Sequence, residues 1–352
     1  MKQSCKEKNP RLGKVGGQAV IEGVMMRSGE HLSVSVRSAD GSIQTKNSTF
    51  VSARQKHKVL GFPIIRGVVA FVESLRMSFS TLNDAANMLG IEEEEGKFEK
   101  WLKKKFGKSA LDVLMPIAMV IGVALALVLF IFLPSWVGSL ISGLVGTDIG
   151  LWKSVIEGVL KILIFVGYMV LISLMPDIRR TFEYHGAEHK SIFCYEKGEE
   201  LTVENVKKQG RFHPRCGTSF MFVMLLIGIL IGFFIPFENA FLRTACKILL
   251  LPLTVGIGFE FLMYAGKHDN PLVRILSAPG LWMQRITTRE PDASQIEVAI
   301  ASLKAAMPDE FPVEERTEQG TAPEASPAVE PEDGNSKPGG AKPAASAESS
   351  AT

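Results

Sequence analysis

The sequence predicts an α-helical polytopic membrane protein, with about four transmembrane helices and a small α+β cytoplasmic N-terminal region. Three observations carry this expectation. Hydrophobic residues make up 46% of the 352 residues, and the mean hydropathy is positive at +0.18, which favours a membrane protein over a globule. Uncharged apolar runs of bilayer-spanning length recur, and Lys and Arg gather beside them. The formal net charge of +2 gives no case for a nucleic-acid partner.

The first segment, residues 1–100, reads as a water-soluble region. Its start, Met1 to Pro10, has basic residues but no apolar core behind them, so no secretory signal peptide is expected and the region should lie in the cytoplasm. Leu12 to Arg27 is glycine-rich but lacks a Gly-Lys-Ser/Thr ending or a spaced dinucleotide fingerprint, which excludes a phosphate-loop reading. From His31 to Val51 apolar and polar residues alternate around Asp40-Gly41, the pattern of a β-hairpin. Between Phe62 and Met88 apolar residues recur at Ile65, Val68, Val69, Val72, Leu75, Phe79 and Leu82, close to helical spacing. That amphipathic helix could pack on the hairpin or lie in the lipid interface.

Residues 101–175 hold the first two expected spans. Leu114 to Leu133 carries no charge and is long enough to cross ~30 Å of hydrocarbon. Leu151 to Met175 is apolar but carries Lys153, Glu157 and Lys161 near its start; Glu157 and Lys161 stand four apart and could pair along the helix. Two more spans are expected in residues 217–266, from Gly217 to Phe237 and from Ile248 to Gly266, the latter broken by Pro252, Gly256, Gly258 and Glu260. A carboxylate such as Glu260 inside an apolar segment is either functional or reaches the interface.

Orientation follows from the retention of Lys and Arg on the cytoplasmic side. The loop Pro134 to Gly150 has none, whereas Arg179, Arg180, Lys190, Lys197, Lys207, Lys208, Arg211 and Arg215 fill the segment between the second and third spans. Against these eight stand Arg243 and Lys247 on the expected outer side. A multi-pass protein of the cell membrane with both termini cytoplasmic is the consequence. Residues 267–307 then form a cytoplasmic C-terminal segment, in which Asp292-Ala-Ser-Gln295 has the spacing of a helix-capping box. Residues 308–352, rich in Pro, Ala, Glu, Ser and Gly, have the composition of a disordered tail.

The candidate chemistry lies in the cytoplasmic loop, residues 176–216. Only four cysteines occur, at 5, 194, 216 and 246, too dispersed for a disulfide framework, so reduced thiols or metal ligands are expected. His185 and His189 stand one helical turn apart and project from one face, the spacing that two imidazoles need to share a tetrahedral metal. His213 and Cys216 could complete the set. The order His185-x-x-Glu188-His189 also matches the inverted-zincin pattern, in which a glutamate activates water beside zinc. Proteases of that class share neither the spans nor the rest of this chain. The residues alone admit solvated loop histidines, a closed structural site or an open catalytic one.

The strings Gly16-Gly17-Gln-Ala-Val-Ile-Glu22-Gly23-Val-Met-Met-Arg27, Glu183 to Lys190, His213 to Phe220 and Thr287-Thr288-Arg289-Glu290-Pro291-Asp292 resemble the YqhQ-like family of bacterial membrane proteins, from about Pro10 to Met307. The resemblance implies a metal-dependent enzyme without an assigned substrate. It makes His185, Glu188, His189, His213 and Cys216 the ligand or catalytic candidates, and places Glu22, Arg27, Arg289 and Glu290 in the other motifs.

Three function classes follow from this reading. The first is a membrane-bound metal-dependent enzyme, hydrolytic in type, with a divalent metal such as zinc on His185, His189 and either His213 or Cys216, and with Glu188 as general base. The second is a noncatalytic accessory of membrane-protein biogenesis or transport, with a structural metal site or none, docking on membrane-protein partners beside the lipid bilayer. The third is a secondary transporter using Glu260, which the few spans and lack of an evident repeat make the weakest.

Overall fold

A computed structural model describes residues 9–90, 110–145, 151–265 and 271–312. The basic residues 103–108, the loop 146–150 and the expected tail beyond Pro312 lie outside the described residues. The protein is mostly helical, with one small antiparallel sheet near the N-terminus.

The sheet is a four-stranded meander of β1 (Val15–Val20), β2 (Gly23–Ser28), β3 (His31–Arg37) and β4 (Ile43–Thr49) in that order. The glycine-rich stretch is thus a hairpin rather than a phosphate loop, with a two-residue turn at Ile21-Glu22 joining Val20 to its partner Gly23. The expected second hairpin pairs Arg37 with Ile43, and Gly41 takes the positive φ of 86° that its turn requires.

After a short helix α1 (Ala53–Lys56) and a 3-10 turn, α2 (Ile65–Met88) runs back along the sheet. Val20, Met25, Leu32, Val34 and Val36 bury one sheet face against Ala85, Met77 and Met88 of α2. The helix is only half covered by this. Val72, Leu75, Phe79 and Leu82 are exposed, so α2 packs on the sheet with one side and presents an apolar row with another.

Next come α3 (Ala110–Leu127), a π-turn (Val128–Phe132), α4 (Leu133–Val145) and α5 (Leu151–Ile172). Two stretches here are long and apolar enough to cross a membrane, Val120–Val145 and Trp152–Ile172. The first runs further than the uncharged stretch ending at Leu133, because the helix continues through Pro134. The π-turn directly before that proline interrupts the i→i−4 ladder where the missing N–H would otherwise break it.

The chain then enters α6 (Pro176–Lys197), α7 (Val203–Lys207) and α8 (Gly217–Gly232). With 16 residues, α8 is about 24 Å long, shorter than a full crossing. Following it, α9 (Ala240–Leu249) and α10 (Leu251–Ala265) are bent by 50° and could count together as a third span. The bend falls where Pro252 has no N–H to continue the helix. Among the described residues, two helices, or three if the bent pair is one span, are therefore long and apolar enough to cross a membrane.

Finally, α11 (Pro271–Thr287) packs along α8, and α12 (Ala293–Ala305) returns to the sheet. Asp292 and Gln295 make both hydrogen bonds of the capping box. Val24 and Met26 of β2, Tyr184, Ala187, Ile192 and Tyr195 of α6, and Ile296, Ala299 and Leu303 of α12 close into the main core. This core wraps α6 on several sides, which is how a helix rich in polar residues comes to be buried.

Candidate metal centre

The residues of α6 that face its surroundings are polar, yet Glu188, His189, Lys190 and Glu196 are all buried. Burial of such groups is sustained only when each has a partner, and neighbouring segments supply them. Lys190 Nζ donates to the Lys207 carbonyl at 3.0 Å and to Glu290 at 2.7 Å. The Arg289 backbone N–H donates to the Phe182 carbonyl at 2.8 Å. A Cβ on Gly186 would fall 2.0 Å from the Arg289 carbonyl oxygen. Only glycine lets the Thr287 to Asp292 strand cross α6 this closely.

One ligand atom from each of His185, His189 and Cys216 lies within 4.8 Å of the other two. His185 Nε2 is 3.2 Å from Cys216 Sγ, and the two imidazole centroids are 4.4 Å apart. His185 Nδ1 lies 2.8 Å from the Thr287 carbonyl, and His189 Nδ1 lies 2.5 Å from the Arg211 carbonyl. A carbonyl can only accept, so each neutral ring carries its proton on Nδ1 and keeps a lone pair on Nε2. Orienting hydrogen bonds of this kind accompany metal-ligating histidines.

These three residues fit a small divalent cation. Zinc bonds of about 2.0–2.3 Å at tetrahedral angles put donor atoms roughly 3.5 Å apart; the His185–Cys216 pair, at 3.2 Å, is close to this, and all three donors lie within 4.8 Å of one another. Binding of a cation by Cys216 would require its thiolate form and would release the thiol proton. Cys216 is held in place as the N-cap of α8, where its Sγ accepts from the Thr218 N–H at 3.5 Å.

Glu188 sits beside the trio, with a carboxylate oxygen 3.9 Å from His185 Nε2. Burial pushes its carboxyl up to about 7, and the neighbouring His185 offsets part of that rise. β1 covers it closely: a Cβ on Gly17 would fall 2.7 Å from Glu188 Cγ and 2.9 Å from Oε1. Gly17 is therefore a close approach of backbone to this carboxylate, whereas a Cβ on Gly16 would meet nothing within 4 Å.

His213 stands outside the trio. Its ring lies between those of His189 and Phe193, with centroids 5.5 and 4.6 Å away, while Nε2 faces Glu196 at 3.7 Å. Burial lowers the His213 pKa, with Glu196 opposing.

Glu196 and Gln284 are residues that sequence reasoning missed. Glu196 binds the Gly13 N–H at 3.0 Å and forms an ion pair with Arg215. It stands seven residues after His189, on the same helical face, and that spacing could have flagged it. Fully buried Gln284 accepts from the His213 N–H and donates to the His213 carbonyl, both at 2.7 Å, and donates to Ser219 at 2.9 Å. It thereby fixes the approach to Cys216. No local pattern marks it, because its partners lie about 70 residues away.

Glu22 and Arg27 of the other motifs, and Glu260, each have partners outside the trio. Glu22 takes a positive φ of 50° in the first hairpin turn, accepts from Tyr184 at 3.3 Å and pairs with Arg180. Arg27 lies over the Phe50 ring. Glu260 forms a two-point ion pair with Arg66, 2.6 Å from Nε to Oε1 at one contact, and so ties α10 to α2. Gly67 allows the same approach, since a Cβ there would meet the Gly256 Cα at 3.0 Å.

A mostly helical protein with, among the described residues, two or three apolar stretches of membrane-spanning length and a largely buried His/Cys trio at the junction of α6 and α8 is the class defined so far. The chain belongs to the family described as "Protein of unknown function (DUF1385)", whose profile matches residues 62–309. It is 33% identical over 293 residues to the "Uncharacterized protein YqhQ" of Bacillus subtilis (strain 168), across 82% of this chain and 90% of that protein. No solved structure matches the chain.

Proposed function

We propose that the protein is a metal-dependent enzyme of the cell membrane, hydrolytic in type, with its site on the cytoplasmic side. The observation that carries this reading is the trio itself: His185, His189 and Cys216 converge to within 4.8 Å with both imidazoles oriented by backbone carbonyls. These three residues would hold a divalent metal, zinc by the mixture of imidazole and thiolate. When bound, that metal would polarise a substrate carbonyl or phosphoryl oxygen and lower the pKa of water. Glu188, buried and beside His185, would take the proton of the attacking water and return it to the leaving group. His213 and Glu196 hold Arg215 and the segment ahead of Cys216 in register.

The membrane part of the proposal is four crossings, counting α8 and the bent α9–α10 pair. The excess of Lys and Arg between α5 and α8 supports placing α6 and both termini in the cytoplasm. The exposed apolar row of α2, whose first turns are tied to α10 by Arg66 and Glu260, suits a helix lying along the inner membrane surface.

Depth of burial favours a second reading. His189 is 2% exposed, Glu188 5% and Cys216 7%, and only the His185 side chain, at 14%, reaches further out. A closed structural metal in a noncatalytic accessory of membrane-protein biogenesis or transport would look the same. Elemental analysis of the purified chain tests the common part: about one metal per chain is expected, and equal metal in a His185→Ala/His189→Ala double variant refutes the enzyme reading and leaves the accessory without a metal on this trio. Stable capture of a stoichiometric membrane-protein partner in mild detergent, with full complementation by Glu188→Gln, would select the accessory reading over the enzyme.

A further inference from the structure

A second site lies in the other half of the spans. Lys161 stands nine residues into the span that begins at Trp152, roughly 13 Å along the helix. It does not pair with Glu157, four residues earlier. The Glu157 carboxylate instead turns to α9, where it forms an ion pair with Arg243 at 2.8 Å and another with Lys247. Lys247 also donates to Ser135 of α4 at 2.7 Å, and Arg243 donates to Ser154 at 2.7 Å and to the Gly232 carbonyl at 2.9 Å. Glu157 is thus consumed in fastening α4, α5, α8 and α9 together. Among the described residues, Arg243, Lys247 and Lys161 gather about this one carboxylate, with buried Lys153 also close by, and Lys161 makes no hydrogen bond or ion pair. An ammonium held unpaired inside an apolar bundle is unfavourable enough that it marks a ligand or an ion path.

Lys161 opens into a cavity of about 510 Å³, within the usual size of small-molecule sites. The Lys161 and Lys247 side chains form its polar end. The rest is apolar, lined chiefly by Phe130 at the π-turn, Phe165 of α5, Met224 of α8 and Leu251 of α10. From Lys161 to Met169, both lining residues, it runs along α5 for roughly 12 Å. A hydrocarbon chain matches the apolar walls, and an anion matches the two lysines.

We propose that this cavity binds an anionic lipid, a hydrocarbon chain ending in a phosphate, with the phosphate on Lys161 and Lys247. The net positive charge of the cluster supplies the selectivity for an anion, and the depth of Lys161 below the end of the span favours a slim headgroup over a bulky one. Basic pockets between membrane helices recognise lipid phosphates by the same physics. The site shares no residue with the His185 trio, so the two proposals stand or fall separately.

The test is native mass spectrometry of the full chain from micelles doped with equal dioleoyl phosphatidic acid and dioleoyl phosphatidylcholine. Wild type should retain the phosphatidic acid in preference, and Lys161→Gln should weaken that preference about tenfold, the loss expected for one charge-assisted bond, while Lys161→Arg keeps it. Gly228→Phe, which would fill the cavity from α8 and leave both lysines in place, should abolish retention. Equal retention of the two lipids by wild type overturns the proposal, as does unchanged retention in Gly228→Phe. Displacement of the lipid by millimolar inorganic phosphate alone would also overturn it, by showing a site for the free anion.

Discussion

Gly17 of β1 lies so close to Glu188 of α6 that a single added methyl would sit 2.7 Å from the glutamate's Cγ. The strand backbone forms one wall of the pocket that holds this carboxylate, and the absence of a side chain is what makes room for it. Gly17→Ala should therefore displace Glu188 and lower stability by about 1–3 kcal/mol, the usual range for overpacking. Thermal unfolding in detergent measures the loss. Metal content should stay at the wild-type level, because Gly17 touches none of the trio; a fall in metal would mean that Glu188 is itself a ligand.

The three donors and the glutamate are expected to separate in mutagenesis. Cys216→Ser should bring bound metal well below the wild-type level of about one per chain, since a hydroxyl is a poor substitute for a thiolate. Glu188→Gln should leave metal content unchanged. Elemental analysis of the two variants purified side by side checks both outcomes.

Arg66 and Glu260 join α2 to α10 across 194 residues of sequence. Both side chains are partly exposed, at 34% and 28%, so solvent screening should keep their coupling small. Arg66→Glu alone should lower the unfolding temperature by placing two carboxylates together, and the exchanged pair Arg66→Glu/Glu260→Arg should recover it. A double-mutant cycle reads the coupling directly. Recovery by the exchanged pair would identify Glu260 as a tether rather than an ion site.

Asp292 caps α12 through the N–H groups of its first turn. Burial opposes ionisation, but hydrogen bonds from Ser294 and from the backbone N–H groups of Gln295 and Ser294 hold its carboxyl below the usual 3.8. A depressed carboxyl stabilises the fold above its unfolded pKa and loses that contribution as pH falls through the folded value. Asp292→Ala should therefore be about 1 kcal/mol less stable than wild type at pH 7. The difference should shrink as pH falls below about 4, which denaturant unfolding over pH 3 to 7 would follow.

Much of the local structure was legible because its causes are local. The alternation of His31 to Val51 around Asp40-Gly41 produced the β3–β4 hairpin, the apolar spacing from Ile65 to Leu82 produced α2, and Asp292 with Gln295 produced a capping box. His185 and His189 share a face for the same reason, one helical turn in a covalently continuous element. The Glu157–Lys161 expectation was local too and did not hold, since Arg243 and Lys247 approach Glu157 from another helix and compete for its carboxylate. The helix of the first expected span also continues beyond Leu133, because a π-turn lets it run on through Pro134.

By itself the sequence determined that apolar helices of spanning length exist, that a small antiparallel sheet precedes them, and that two histidines, a cysteine and a glutamate could meet, because periodicity and spacing act over a few residues. Only the tertiary structure decided which of them meet. Cys216 reaches His185 while His213 turns to Glu196, because Gln284 grips the His213 backbone from 71 residues away. It likewise left Lys161 without an ion pair among the described residues, beside a largely apolar cavity, since a carboxylate goes to whichever cations the packing brings nearest.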